Sequence, residues 1–290
     1  MSRPWDRASN VKRLRALEVR GTTDVALVLL MASTGLLAHA AAAAAQEAEA
    51  SDAEAAARAQ ANNPLANMTA FNLQNYWVPR LYGSDDEVAN TFWVRFAQPT
   101  GPVLWRLSIP LPTVPTGGDP ESGLGDVQLF AAYLAVEKPT FAFGIGPQLA
   151  FPTASDDALG TGKYQAGLAT VVFAIPNPRF QVGGLVLWQA SYAGDSERED
   201  TNALAVQPFA FWQLGGGTYL RTAPIWAFNL ESGDYNVPFG FGIGQVIKLG
   251  QTVFNIFVEP QFTILHDGVA QPAFQLFTAL NMQFLKDDKP

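Results

Sequence analysis

Four arginines and one glutamate stand inside otherwise uncharged, alternating runs of this chain: Arg80, Arg95, Arg106, Arg221 and Glu259, with Lys248 at the end of another run. A guanidinium stays charged at any ordinary pH and presents a planar fork of donors that suits carboxylate and phosphate. Set in the wall of an enclosed polar interior, such groups would make an ion-selective constriction. Paired with a carboxylate, they would instead make a structural network that plugs the interior. Arg80, Arg95 and Arg106 fall on consecutive runs and could form a basic ladder facing Glu259. Both readings stay open at this level. Gln261, Gln275 and Asn281 share the polar faces of their runs, and complete the set of candidate lining residues.

Other chemistry is thin. Of the two histidines, His39 lies in the amino-terminal segment and His266 stands beside Asp267 and Gly268, ordinary turn chemistry. A hydrolase would need a nucleophile held against such a base, so no enzyme is expected. Gly160-Thr161-Gly162-Lys163 has part of a phosphate-loop spelling but lacks its leading glycine spacing. Asp156 with Asp157, and Glu197 with Glu199 and Asp200, offer oxygens that suit hard cations but read as solvated loop acids. There is no cysteine, hence no disulfide or thiolate site. No cofactor and no resident metal are expected.

The elements that must carry these residues are strands. In Pro272–Leu285, Phe274, Leu276, Thr278, Leu280, Met282 and Phe284 fall on one parity, while Gln275, Phe277, Ala279, Asn281 and Gln283 fall on the other. Side chains alternate across a strand. The polar face holds amides and small residues and no Lys or Glu, which suits an enclosed interior, the apolar face then meeting lipid. Twelve such runs follow one another: Phe71–Leu81, Ala89–Gln98, Val103–Leu111, Asp126–Val136, Phe141–Phe151, Tyr164–Ala174, Phe180–Tyr192, Asn202–Leu214, Thr218–Leu230, Tyr235–Lys248, Thr252–Ile264 and Pro272–Leu285. Each is about the ~9–11 residues that a tilted strand needs to cross a bilayer. Charges sit opposite the apolar faces, and Trp105, Trp188, Tyr192, Trp212, Trp226 and Phe284 project outward near strand ends as an interfacial girdle would. Pro110, Pro147, Pro208, Pro224, Pro238 and Pro260 lie inside these runs and require bulges or strand ends there.

The links alternate as well. Acid-bearing loops follow the odd-numbered runs, and tight turns such as Pro99-Thr100-Gly101-Pro102 and Gly215-Gly216-Gly217 follow the even-numbered ones. Short periplasmic turns and longer outer loops are a habit of outer-membrane barrels. Charged residues make up only 15% of the chain at a mean hydropathy of +0.07, a pairing that fits alternate apolar positions and excludes a bundle of membrane helices. The amino terminus has a basic head with Arg3, Arg7, Lys12, Arg13, Arg15 and Arg20, an apolar run from Val25 to Leu37 and a small-residue exit, the parts of a secretory signal. Cleavage is expected after Ala45. The segment carries six basic and three acidic residues, so its removal moves the net charge from −8 to −11. A chain so acidic is no partner for nucleic acid.

The sequence therefore predicts an all-β chain: a transmembrane antiparallel up-and-down β-barrel of about twelve strands over 68–285, in the outer membrane of a Gram-negative bacterium. A cleavable signal peptide (1–45) and a periplasmic lead-in or plug segment (46–67) precede it, and a short tail (286–290) follows. Its expected partners are outer-membrane lipids and lipopolysaccharide, the barrel-assembly machinery and a small-molecule solute. The inward parity of Gly144, Gly146, Gly240, Gly242 and Gly244 leaves room for a pathway, or for an inserted segment such as Asn62 to Thr69. The expected function is a channel or transporter; the alternative is a structural or surface-interaction barrel without transport.

Four stretches carry a further resemblance. FPTASDDALGTGKYQAG at Phe151–Gly167, SYAGDSERED at Ser191–Asp200, QPFAFWQL at Gln207–Leu214 and VPFGFGIGQVIKLG at Val237–Gly250 resemble, in order and spacing, a family of proteobacterial outer-membrane proteins. The family is described as transporters of the MetA-pathway of phenol degradation, and some members bear a mistaken neuromedin U label. The resemblance spans roughly residues 63–285, with the PTASD…LGTGK segment as its most specific part. It implies an outer-membrane barrel passing small hydrophobic or aromatic compounds, and no catalytic residues.

Overall fold

A computed structural model describes residues 60–84 and 87–285, all within the compact unit Ala56–Pro290. The expected signal peptide, the first part of the lead-in and the tail lie outside the described residues. The chain forms a closed antiparallel barrel of 12 strands. In chain order the strand segments are β1 (Thr69–Leu81), β2 (Ala89–Thr100), β3 (Val103–Val114), β4 (Glu121–Ser122), β5 (Val127–Lys138), β6 (Phe141–Phe151), β7 (Lys163–Asn177), β8 (Phe180–Gly194), β9 (Asn202–Gly215), β10 (Thr218–Thr222), β11 (Trp226–Asn229), β12 (Tyr235–Gly240), β13 (Gly242–Leu249), β14 (Thr252–Asp267) and β15 (Pro272–Phe284). β10 with β11, and β12 with β13, are interrupted halves of single staves, and β4 is a short hairpin partner of β3 outside the ring.

Each stave pairs with its sequence neighbours, and β15 returns to β1, in one register from Thr69↔Phe284 to Trp77↔Leu276 and, past a register shift, on to Leu81↔Pro272. No edge is left, so the backbone donors and acceptors of the wall are satisfied within it. One end of the barrel is closed by five two-residue turns, across the pairs Thr100↔Val103, Lys138↔Phe141, Asn177↔Phe180, Gly215↔Thr218 and Leu249↔Thr252. The Gly216-Gly217 turn has φ of 59° and 84°, the left-handed backbone that matches the twist of the flanking strands.

The six prolines expected to interrupt strands sit where one of their two ladders is already broken. Pro224 lies in the gap between β10 and β11, and Pro208 faces that gap, between Val206, paired with Trp226, and Ala210, paired with Thr222. Pro260 faces the break between β12 and β13, and Pro238 falls at a register shift against β14. Pro110 lies beyond the last β3–β5 pair, Ser108↔Gln128. Pro147 faces an interval in the β5–β6 pairing, between Phe130↔Gln148 and Tyr133↔Ile145. A residue without an N–H is cheap where no acceptor waits for it.

The two faces of the wall differ as parity requires. Leu107, Leu168, Val186, Ile243, Ile256 and Phe262 are exposed on the outside, and Trp105, Trp188, Tyr192, Trp212 and Phe284 project there as well. Such a continuous apolar exterior would be untenable in water and suits lipid. Inside, Ala132, Ala169, Val171, Phe173, Phe209, Phe211 and Tyr219 pack around the axis.

The Gly216-Gly217 hairpin yields a test. A Cβ on Gly217 would lie 2.2 Å from the carbonyl oxygen of Val246. Gly217→Ala is expected to cost about 1–3 kcal/mol, read as a lowered urea midpoint of the refolded barrel. An unchanged midpoint would exclude this turn geometry.

Candidate lumen site

The interior is built around one buried ion pair. Arg221 Nε donates to Glu259 Oε2 at 2.6 Å, with side chains 5% and 0% exposed. The other carboxylate oxygen accepts from the backbone N–H of Ala223 at 2.9 Å and from the Gln261 amide at 2.8 Å, and Gln261 accepts in turn from Gln275. A fully enclosed charge pair is tolerable only with this much hydrogen bonding. The guanidinium is caged by phenyl rings, 3.3 Å from the centroid of Phe257 and 5.4 Å from that of Phe277.

Arg221 and Glu259 are not on neighbouring strands; β13 runs between them. The contact exists because that strand presents glycine to the lumen. A Cβ on Gly242 would lie 2.8 Å from Glu259 Cβ, and one on Gly240 2.6 Å from Glu259 Oε1. Gly244 does the same one step further along. The Tyr219 ring lies over it, 2.3 Å from where a Cβ would stand, and the Tyr219 hydroxyl reaches Asn255 Oδ1 at 2.6 Å. Three missing side chains thus let β10 bond to β14 across the lumen face of β13.

This arrangement corrects two sequence expectations. Glu259 does not face Arg95 and Arg106 across the closure. Phe277 stands opposite Glu259 in register and Tyr76 opposite Phe277. These two rings stack at 4.1 Å and fill that route, while the glycines open the other one. Arg80 is exposed and lies outside the lumen. A bulge between Trp77 and Arg80, at Pro79, shifts it into register with outward-facing Phe274 and reverses its parity.

Of the remaining candidates, Arg95, Arg106, Arg221 and Asn281 line a cavity of about 180 Å³ inside the barrel. Gln261 is fully buried beside Glu259, and Gln275 is half-buried against Gln261. Arg95 Nη1 donates to Gln74 Oε1, and the Gln74 amide donates to Asn281 Oδ1 at 3.2 Å. The Arg95 guanidinium lies 4.5 Å from the ring centroid of Trp93, and that of Arg106 4.3 Å from that of Phe130. Neither has a carboxylate partner among the described residues. Sequence reasoning missed Gln74 and Tyr76, whose inward parity in β1 was the available signal; it placed Asn255 on the polar face with Glu259 and Gln261 but did not name it as a lining residue.

The segment ahead of β1 enters the turn end of the lumen. The carbonyl of Ala61 accepts from Asn255 and from Gln283, each at 3.2 Å, and Asn62 accepts from Asn255 at 3.0 Å. Leu65 is 2% exposed and seats on Gly144, 3.1 Å from where a Cβ would stand.

The PTASD…LGTGK stretch lies at the opposite end and serves as a clasp. Asp126 accepts from the Thr161 backbone N–H at 2.7 Å, the Thr161 hydroxyl at 2.8 Å and the Ala154 N–H at 3.3 Å. Thr153 Oγ1 donates to Gly125 O, Ser155 Oγ accepts from Leu124 N, and Asp156 caps a short 3₁₀ turn, Asp157–Leu159. Arg198 donates to the carbonyls of Asp157 and Gly160, and Lys163 Nζ meets Asp200 at 3.1 Å. Asp126, Asp156, Asp157 and Asp200 are thus engaged in loop contacts, and no cluster of three metal-ligating side chains occurs among the described residues. His266 is stacked on Tyr82, ring centroids 3.6 Å apart.

Among solved structures, an outer-membrane channel from Pseudomonas putida F1 matches with a TM-score of 0.55 at 14% identity, covering 76% of this chain and 97% of that one. The chain has the fold of an outer-membrane channel. The NanC porin aligns at a TM-score of 0.49 and 9% identity over 74% of this chain and 100% of its own. The CymD monoaromatic hydrocarbon channel aligns at 0.39 and 10% over 79% and 93%. No protein-family model matches the sequence, and no curated protein does.

Two outcomes are expected. Glu259→Gln strands the Arg221 charge among phenyl rings and should cost about 3–5 kcal/mol of unfolding free energy, much of it recovered in Glu259→Gln/Arg221→Met; equal losses in both would remove the pair from its central place. At the loop end, the hydrogen bonds from Lys163 and Ser191 hold the Asp200 carboxyl below the usual aspartate range. A depressed folded-state value means that the contact contributes above the ordinary aspartate pKa and is lost as pH falls through the lowered one. A carbon NMR titration showing Asp200 protonating at or above the ordinary value would contradict this.

Proposed function

We propose that the protein is a passive outer-membrane channel for small molecules in a Gram-negative bacterium. The observation that carries this reading is a closed barrel whose exterior is apolar and whose amide-lined interior encloses a cavity bearing two arginines without a carboxylate counterpart. An interior designed only to be filled would gain more from apolar packing than from buried, uncompensated charge. The turn end is periplasmic and the clasped, acid-rich loop end faces outward, where lipopolysaccharide and its counter-ions meet it. Residues 1–45 are removed as a signal peptide, and the barrel-assembly machinery inserts the remainder. The finer family reading, a transporter of the MetA-pathway type passing hydrophobic or aromatic compounds, is supported by the four sequence stretches that resemble that family. This reading assigns the protein no catalytic step, and His266 is stacked on Tyr82.

One observation favours a second reading, a structural barrel without transport. Ala61, Asn62 and Leu65 occupy the turn end of the lumen, the first two hydrogen-bonded to its wall and Leu65 buried there. Planar bilayers separate the two. The channel reading expects steady single-channel current from the purified barrel and a salt-gradient reversal potential of anion-selective sign, because Arg95 and Arg106 are unpaired. Arg106→Gln should move that potential toward zero. Absence of current and of solute flux in proteoliposomes would leave the structural reading. The orientation has its own test. An epitope between Asp195 and Glu197 should be reachable on intact cells, and one between Gly215 and Gly217 only after permeabilisation; the reverse would invert the barrel.

A further inference from the structure

The lumen cavity is lined by hydrogen-bond donors that the protein leaves unused. Arg95 Nε, Arg106 Nε, the Tyr76 hydroxyl and Asn62 Nδ2 are all buried and have no acceptor among the described residues. All four residues line the same cavity. Gln283 Oε1, an acceptor, is also unpaired there. Buried polar groups are almost always paired, so a cluster of orphans in which donors outnumber acceptors asks what would satisfy it. Two of the four donors belong to permanent cations. The complementary group is a pure acceptor with negative charge, and a carboxylate is the one a guanidinium fork fits best.

The position of the arginines is equally specific. Besides the 180 Å³ cavity on the turn side, a smaller one of about 50 Å³ lies toward the loop end, lined by Leu187, Ala205 and Ile225. Arg95 and Arg106 line both, with Leu185 and Gln207. They stand between the two chambers, on β2 and β3, facing β8 and β9. Arg221 also lines the larger chamber, but Glu259 already neutralises it. Four phenylalanines, Phe209, Phe211, Phe257 and Phe277, form one part of that chamber's wall, and amides such as Asn72, Gln74 and Asn281 form much of the rest. Its volume is on the order of the ~150 Å³ apolar cavity that accommodates benzene.

We propose that Arg95 and Arg106, with Tyr76, form a binding site at the junction of the two chambers for a small aromatic monocarboxylate, the carboxylate on the guanidiniums and the ring among the phenylalanines. This deepens the channel reading and rests on it for the route by which such a solute arrives. The site is stoichiometrically plain: two unpaired cations accept one anion, and the larger chamber has room for one ring.

Calorimetric titration of the detergent-purified barrel with benzoate, acetate and benzyl alcohol tests it. Benzoate is expected to bind saturably at one site, and acetate and benzyl alcohol about tenfold or more weakly, each lacking one half of the recognition. Arg106→Gln and Arg95→Gln should each weaken benzoate by about tenfold or more, with Arg106→Lys between them and the parent. Both glutamine variants remove an unpaired charge, so their urea midpoints should hold or rise. Benzyl alcohol binding as tightly as benzoate would overturn the anionic recognition, and acetate matching benzoate would overturn the aromatic one. Undiminished benzoate affinity in both glutamine variants would overturn the location. Current in bilayers without benzoate binding defeats this site and spares the channel reading; benzoate binding without current does the opposite.

Discussion

Everything inside this protein depends on the return of β15 to β1. In a hydrocarbon surround an unpaired backbone group costs several kcal/mol, and the pairing from Thr69↔Phe284 to Leu81↔Pro272 removes the last edge. Closure then fixes the alternation of the wall, because a slip of one residue would turn every amide outward and every Leu, Ile and Phe inward. Proline is admitted only where a ladder is already interrupted, as at the facing Pro208 and Pro224.

Once the wall is closed, the lumen is decided by which strands carry side chains inward and which do not. β12 and β13 carry glycine at 240, 242 and 244. That bare stripe lets Tyr219 reach Asn255 and Arg221 reach Glu259 across a strand that would otherwise separate them. On the other side of Glu259, Phe277 and Tyr76 stack and block the approach of Arg95 and Arg106. Among the described residues, the single carboxylate of the mid-lumen is thereby committed to one arginine, and two others are left uncompensated. The charge asymmetry of the interior follows from glycine placement as much as from the charged residues themselves.

The stretch that most resembles a known family does no lumen chemistry. Thr153, Ser155 and Thr161 tie the loop after β6 to Asp126 and the loop before β5, and Lys163 and Arg198 fasten the next loop to it. Gly160 is small because Ala154 and the Asp126 carboxylate crowd the place a Cβ would take, at 2.4 and 2.6 Å. A recognisable motif here marks a demanding loop geometry, while the lumen arginines stand in the strands.

The sequence by itself determined the barrel. Period-two alternation, the regular exchange of tight turns and acidic loops, and the displacement of charge from the apolar parity are local signals, each readable within one strand or one turn. They were sufficient for the staves and the closure, and parity alone put Arg95, Arg106, Arg221 and Glu259 on the inward face, where they stand. Local signals failed where a bulge intervened: one added residue at Pro79 reversed the face of Arg80. They could not pair Glu259 either. Which arginine reaches a carboxylate across a lumen depends on the distance between non-adjacent staves and on what fills the space between them, here three glycines on one side and two stacked rings on the other. Those are properties of the closed ring, and only the tertiary structure decides them.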